Sequence, residues 1–230
     1  DADVAMKEIV IQLKKPIDEI FKDINPEHIA SASIAQAYKG TLKTGEKVVI
    51  KIQRQGIEKK IKLDLGIMEF FAEKIQKNNP EFQALKIVGV VEEFGKSIKD
   101  ELNFSHEASN AIRFGKMFEK DKTIYTPKVY THFSNTKILI EEFIKGTEVT
   151  VGVIPYQGEL KVLPITEIVS QNDFFDYQAK YEGKSEEITP ARISSEDQKT
   201  VSEAALKTYK ALNIKGFSRA EYIIKDGLPY

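Results

Sequence analysis

Apolar residues recur three and four positions apart in some stretches of this chain and at every second position in others. Helical spacing runs through VAMKEIVIQLKKPIDEIFKDI, where Pro16 interrupts it, so two short helices are expected there. It returns in GIEKKIKLDLGIMEFFAEKIQKN, with Ile57, Ile61, Leu65, Met68 and Phe71 on one face. It appears again in two pieces between about Leu85 and Phe118, and in SSEDQKTVSEAALKTYKALNIKG, with Ser195 as N-cap and Gly216 near the end. Alternation marks IASASIAQAYKGTLKTGEKVVIKIQR, which predicts an antiparallel hairpin turning at Gly45. A second hairpin is expected in TPKVYTHFSNTKILIEEFI, turning at Ser134–Asn135. A third lies in VTVGVIPYQGELKVLPITEIVS, turning at Gln157–Gly158. FSRAEYIIKDGLPY reads as a strand, an Asp226–Gly227 turn and the start of another strand. NDFFDYQAKYEGKSEEITPARIS has no clear period and reads as a long functional loop. Helices beside one sheet, followed by a second sheet, predict an α+β fold of two lobes.

Composition narrows the function classes. A hydrophobic fraction of 41% beside 30% charged residues fits a globular chain with a real core. A net charge of −1 supplies no basic field for nucleic acid or an anionic membrane, so neither partner is expected. The absence of cysteine removes disulfides and thiolate metal sites. Apolar runs such as VVIKI are too short to cross a bilayer, and no signal-peptide pattern opens the chain. The expectation is a cytoplasmic chain.

Candidate chemistry starts at Lys51, set within the apolar strand VVIKIQR. Its ammonium either faces a cleft or sits on a solvated face, and alternation alone leaves the two readings even. A phosphate-holding lysine needs a carboxylate from a helix to orient it, and KDELNFSHEASNAIRF offers Glu101 and Glu107. The run INPEHIASASIAQAYKGTLKTGEKVVIKIQRQGI, with DELNFSHEASNAIRF and TPKVYTHFSNTKILIEEFIKG, resembles the UbiB family of atypical kinases from about residue 8 to 146. That resemblance implies a kinase-like small lobe over residues 1–143, with an alanine-rich loop in place of the glycine-rich one. Small side chains at Ala32, Ser33, Ile34 and Ala35 would let backbone amides approach phosphates. It also implies Lys51 as the phosphate-binding lysine, with Glu101 or Glu107 as its partner. The family's Glu-x-Asp reads Glu101-Leu102-Asn103 here, so the third acidic position is lost. The family's Lys-x-Gly-Gln element and its large-lobe catalytic asparagine and aspartate are not expected in this stretch of chain.

From about residue 138 to 230 the texture changes. EEFIKGTEVTVGVIPYQGELKVLPITEIVSQNDFFDYQAKYEGKSEEITPARIS, continued by ALNIKGFSRAEYIIKDGLPY, resembles the C-terminal part of D-alanine–D-alanine ligases of the ATP-grasp superfamily. This implies an ATP-grasp-like lobe over residues 144–230. Backbone groups of the turn Glu141, Glu142, Phe143 and Ile144 would meet adenine, and Glu148 would take the ribose hydroxyls. Lys180 would reach ATP phosphates, Arg219 would stabilise developing charge, and Glu221 would hold magnesium where the family usually has aspartate. The remaining magnesium carboxylate and asparagine of such ligases are expected beyond Tyr230, which makes the Mg2+ site incomplete.

The stretch ILIEEFIKG fits both families, and TEVTVGVI fits only the ligase. A chimera is therefore expected, joined between Glu141 and Gly146, with one natural family blending both patterns as the alternative. The leading functional expectation is ATP or ADP held between two lobes with little or no turnover. A working phosphoryl-transfer enzyme and a folded chain that binds no nucleotide stand as the alternatives. An exposed sheet edge at the C-terminus is expected to favour a homodimer.

Overall fold

The computed structural model describes residues 2–170 and 185–230 and consists of helices and two antiparallel sheets, an α+β fold. Two helices open the chain, α1 (Ala2–Leu13) and α2 (Ile17–Ile20), separated at Pro16 as the interrupted period implies. The second helix is shorter than its periodicity suggests. Phe21 is fully buried and pairs with Leu42, so the chain from Phe21 enters a strand rather than a helical turn.

The first sheet has the order β1 (Phe21–Ser31), β2 (Ala35–Leu42), β3 (Lys47–Gln53) and β4 (Ile138–Glu142). Gly45 turns the β2–β3 hairpin with φ 101°, a conformation that a Cβ would strain. The stretch before β4 is no strand. Val129 makes a single bridge to Glu141, and a short 3-10 turn at Thr131–Phe133 follows. Asn135 Oδ1 then accepts from the N–H groups of Lys137 and Ile138 and turns the chain into β4.

One face of this sheet, carrying Tyr38, Ile50, Ile52, Ile138 and Ile140, packs on Ala5 and Ile9 of α1. The other face meets α6 (Phe104–Met117), whose Phe104 and Ala108 pack on Leu139 beside Ile34 and Ala35. Between β3 and α6 stands a helical hairpin of α3 (Ile57–Asn78), α4 (Pro80–Leu85) and α5 (Ile87–Glu101). The expected apolar face of α3 is only partly the packing face. Leu65 and Ala72 are buried toward α5, whereas Met68 and Phe71 are exposed.

The second sheet runs β10 (Leu228–Pro229), β9 (Ser218–Lys225), β5 (Thr147–Tyr156), β7 (Thr166–Ser170) and β8 (Ser185–Ile188), with β6 (Glu159–Val162) also on β5. Gln157 and Gly158 both have positive φ, as a tight two-residue hairpin turn requires. Val149, Val151 and Val153 of β5 bury against Val201, Ala204 and Ala205 of α7 (Ser195–Ala211). Its N-cap is Ser194 rather than Ser195. The Ser194 hydroxyl accepts from Asp197 N–H, which satisfies one of the free donors of the first turn.

The segment between α6 and β4 ties the lobes together. Lys207 of α7 reaches Asp121 at 2.7 Å and Thr123 at 2.7 Å, and the Tyr125 ring lies 4.6 Å from that of Tyr230. Hydrogen bonds from Lys207 and Thr123 hold the Asp121 carboxyl down at about 2. A depressed carboxylate contributes stability above its ordinary value and loses it as pH falls toward its folded one. Asp121→Asn is therefore expected to flatten the fall in stability between about pH 4 and pH 2, read as urea midpoints across that window.

Candidate functional site

Cross-strand register decides which way Lys51 points. It lies opposite Ala37 on β2 and Leu139 on β4, and Leu139 packs on α6. Directly paired residues share a face. Lys51 therefore stands on the α6 side with small or apolar neighbours, not on an open face. Its ammonium bridges two carboxylates, Glu107 of α6 at 2.7 Å and Glu141 of β4 at 2.8 Å. Burial pulls its pKa down, but the Glu141 and Glu107 charges outweigh that and raise it above the ordinary lysine value. Glu101 ends α5 and makes no ion pair with Lys51, so of the two glutamates only Glu107 is brought to it. The Glu141 side chain is a contact absent from the sequence reading, which places Glu141 only in the adenine-facing turn. Its place two residues beyond Leu139 on the same strand face was the available signal.

Asn103, which replaces the acidic third position, has a structural task. Its side chain accepts from Ser105 N–H and caps α6. The alanine-rich turn is pinned by Arg54, whose Nε donates to the Ala32 carbonyl at 2.9 Å and whose backbone N–H donates to the Ile34 carbonyl at 2.9 Å. Ala32 N–H closes the turn onto the Ala35 carbonyl at 2.8 Å. Ser33 and Ile34 are left as N–H groups with no partner among the described residues.

At the connection between lobes, Glu142 N–H donates to the Lys128 carbonyl and Phe143 N–H to the Lys47 carbonyl. Lys39 sits over the Phe143 ring at 4.3 Å. Ile144 is buried, and its N–H has no hydrogen-bond partner among the described residues. An N–H without an internal partner is open to an external acceptor. The Glu142 side chain turns away and accepts from Tyr125 Oη at 2.9 Å and from Lys128 N–H at 3.2 Å. Burial, then Glu142, pushes the Tyr125 phenol up to about 12, so it stays a donor across neutral pH.

In the second sheet, Glu148 lies opposite Ile223, Thr150 opposite Glu221, and Gly152 opposite Arg219. Glu148, Arg219 and Glu221 therefore share the sheet face away from α7, since Val149 and Val151 fill the α7 side. Arg219 donates to Glu221 at 3.2 Å. Lys180 lies outside the described residues. An open cavity of about 650 Å3 between α6 and β9 is lined by Glu107, by Glu221 and by Phe114, Met117 and Tyr222. A second opening of about 810 Å3, between α1 and the start of α3, shares only the Ala32–Ser33 turn with the candidate residues.

The donor set distinguishes the two implied ligands. Lysine, backbone N–H groups and a carboxylate suit a nucleotide. Magnesium prefers near-octahedral oxygens. Glu221, already paired with Arg219, fits it poorly, and the described residues hold no cluster of three or more His, Asp or Glu suited to a metal ion. Among the described residues no helix is long and apolar enough to cross a membrane.

Comparison with known proteins finds two matches that overlap along the chain. The ABC1 atypical kinase-like domain matches residues 2–157, and the D-ala D-ala ligase C-terminus matches residues 128–228. A D-alanine–D-alanine ligase of Flavobacterium johnsoniae is 66% identical over 96 residues, 42% of this chain and 30% of the ligase. A probable protein kinase UbiB of Azotobacter vinelandii is 38% identical over 154 residues, 66% of this chain and 29% of that protein. The solved structure of Rv3197 from Mycobacterium tuberculosis, in complex with erythromycin, is 26% identical with a TM-score of 0.55, covering 69% of this chain and 37% of that one. The chain thus spans about three tenths of the length of these two relatives. With a kinase-like match over most of its length, the chain belongs to the ABC1 atypical kinase-like domain family, and its C-terminal part is similar to the D-ala D-ala ligase C-terminus.

Proposed function

We propose that the chain binds an adenine nucleotide, ATP or ADP, between an N-terminal lobe of residues 1–143 and a C-terminal lobe of residues 144–230, with little or no turnover. The observation that carries this reading is a cavity between α6 and β9 lined by Glu107, the ion-pair partner of Lys51, and by Glu221 of the other lobe. Lys51 and the N–H groups of Ser33 and Ile34 meet phosphate oxygens, and Ile144 N–H donates to the adenine edge. Glu148 takes ribose hydroxyls on the facing sheet, and Lys180 adds a second phosphate contact. A bound nucleotide would supply an activated phosphoryl group.

Low turnover follows from how the remaining groups are spent. Arg219 and Glu221 neutralise each other at 3.2 Å, and Asn103 caps a helix where an acid is usual. Two ATP-utilising lineages joined at Glu141–Gly146 account for the pattern as a chimera. A junction there keeps the adenine-facing backbone common to both parents.

Isothermal titration of the chain with ATP, with and without Mg2+, tests the reading. One site of micromolar affinity is the expected outcome. No heat up to about 1 mM nucleotide would sink it in favour of a folded chain without a ligand. Steady phosphate release that disappears in Lys51→Ala would sink the inactivity instead.

A further inference from the structure

The hairpin of α3 and α5 carries more exposed apolar surface than its own packing explains. Within the hairpin, Leu65 rests against Gly95 and Gln76 accepts from Val88 N–H, so the two helices run antiparallel along a buried seam. Away from that seam, α3 exposes Leu63 (69%), Ile67 (56%), Phe70 (55%) and Phe71 (57%), spaced as one stripe over two turns. On α5, Val90 (64%) and Phe94 (45%) form a second stripe one turn apart. Scattered single apolar residues on a surface are ordinary, but a run of this size marks an interaction site.

We propose that this hairpin is a self-association surface, and that two copies of the chain pair through it into an antiparallel four-helix arrangement. Area is the first argument. With aromatic and aliphatic side chains of about 150–250 Å2 each, the six residues present on the order of 700 Å2. A specific interface of standard size buries about 800 Å2 per partner. Charge is the second. Between Ile57 and Glu101 the chain has eight lysines and nine acidic residues, so the hairpin is nearly neutral with both signs interspersed. That balance lets two identical surfaces meet without repulsion and supplies no attraction to an anionic membrane. Helix pairs with apolar stripes of this spacing pack side by side at small crossing angles. The pairing is independent of nucleotide, because no residue of the stripes lies among the candidate nucleotide contacts.

Sedimentation equilibrium of the whole chain, from about 1 to 200 µM, is the test. The expected result is a monomer–dimer equilibrium that Ile67→Glu combined with Phe71→Glu weakens at least about a hundredfold. Both side chains are exposed, so the thermal unfolding of that variant should match the parent at low concentration. Phe217→Glu, which charges an exposed residue beside the open edge of β9, should leave the dimer intact. A chain that stays monomeric throughout, or a dimer lost in Phe217→Glu and kept in the hairpin variant, overturns the proposal. Flotation with phosphatidylcholine vesicles decides the remaining outcome. Monomers that bind vesicles through Ile67 and Phe71 would make the surface a lipid contact instead.

Discussion

Lys51→Ala should weaken ATP binding by about fiftyfold or more while leaving the chain folded. Charge-assisted hydrogen bonds to a phosphate are each worth roughly 1.5–3 kcal/mol, and Lys51 is the described cation placed on the α6 face beneath the alanine-rich turn. The same substitution leaves Glu107 and Glu141 facing each other without a counter-ion. Lys51 is 31% exposed and Glu107 46%, so solvent screening reduces that loss to about 1 kcal/mol. The direction with pH can be stated in advance. The ammonium's folded pKa is raised, so its contribution is fully present below the unfolded value and is lost only as pH rises beyond it. Parent and variant should therefore differ by a constant amount from pH 6 to 9. Nucleotide titrations and urea midpoints separate the two effects. Unchanged affinity in Lys51→Ala would remove Lys51 from the site, whatever happened to stability.

The largest effect on stability is expected from Gly146→Ala. Gly146 lies at the junction between β4 and β5, where the chain passes from one sheet to the other. A Cβ there would fall on the Ile224 carbonyl oxygen, with Ile223 Cγ2 at 2.9 Å. The clash is with backbone, which cannot swing aside as a flexible side chain would. Overpacking of this kind costs about 3 kcal/mol or more, or else the pairing of β5 with β9 must give way near Thr147 and Ile224. Because Ile144 N–H and Glu148 flank this point, the variant should also lose nucleotide affinity at temperatures where it remains folded. A melting temperature within about 2 °C of the parent would contradict the close approach.

Periodicity and turn chemistry were sufficient for most elements. Pro16, Gly45 and the Gln157–Gly158 pair act on their own backbone, so their consequences are readable without knowing what packs above them. The structure departs from the sequence reading at one distant pairing and at one local hydroxyl. Phe21 left the helical pattern because Leu42 offered it a strand pairing, and Ser194 displaced Ser195 as cap by the orientation of a single hydroxyl. On α3 the amphipathic spacing is legible in the sequence, yet spacing gives relative angles only. Which arc faces inward depends on where α5 lies, and that placed Leu65 inside and Phe71 outside.

The same division holds for the candidate site. By itself the sequence determined the two family resemblances and the α+β lobes, because these rest on residue types and local spacing. It also named Lys51, Glu107 and the Glu141–Ile144 turn. It could not choose between Glu101 and Glu107, or between a solvated and a cleft-facing Lys51. Those choices belong to register. Pairing of Lys51 with Leu139 set it on the α6 face, and the packing of α6 there brought Glu107 within 2.7 Å. Only the tertiary structure added the second carboxylate at Glu141 and spent the N–H groups of Glu142 and Phe143 on neighbouring carbonyls. The physical reason is that a strand's alternation fixes which residues share a face, while long-range pairing decides what that face meets.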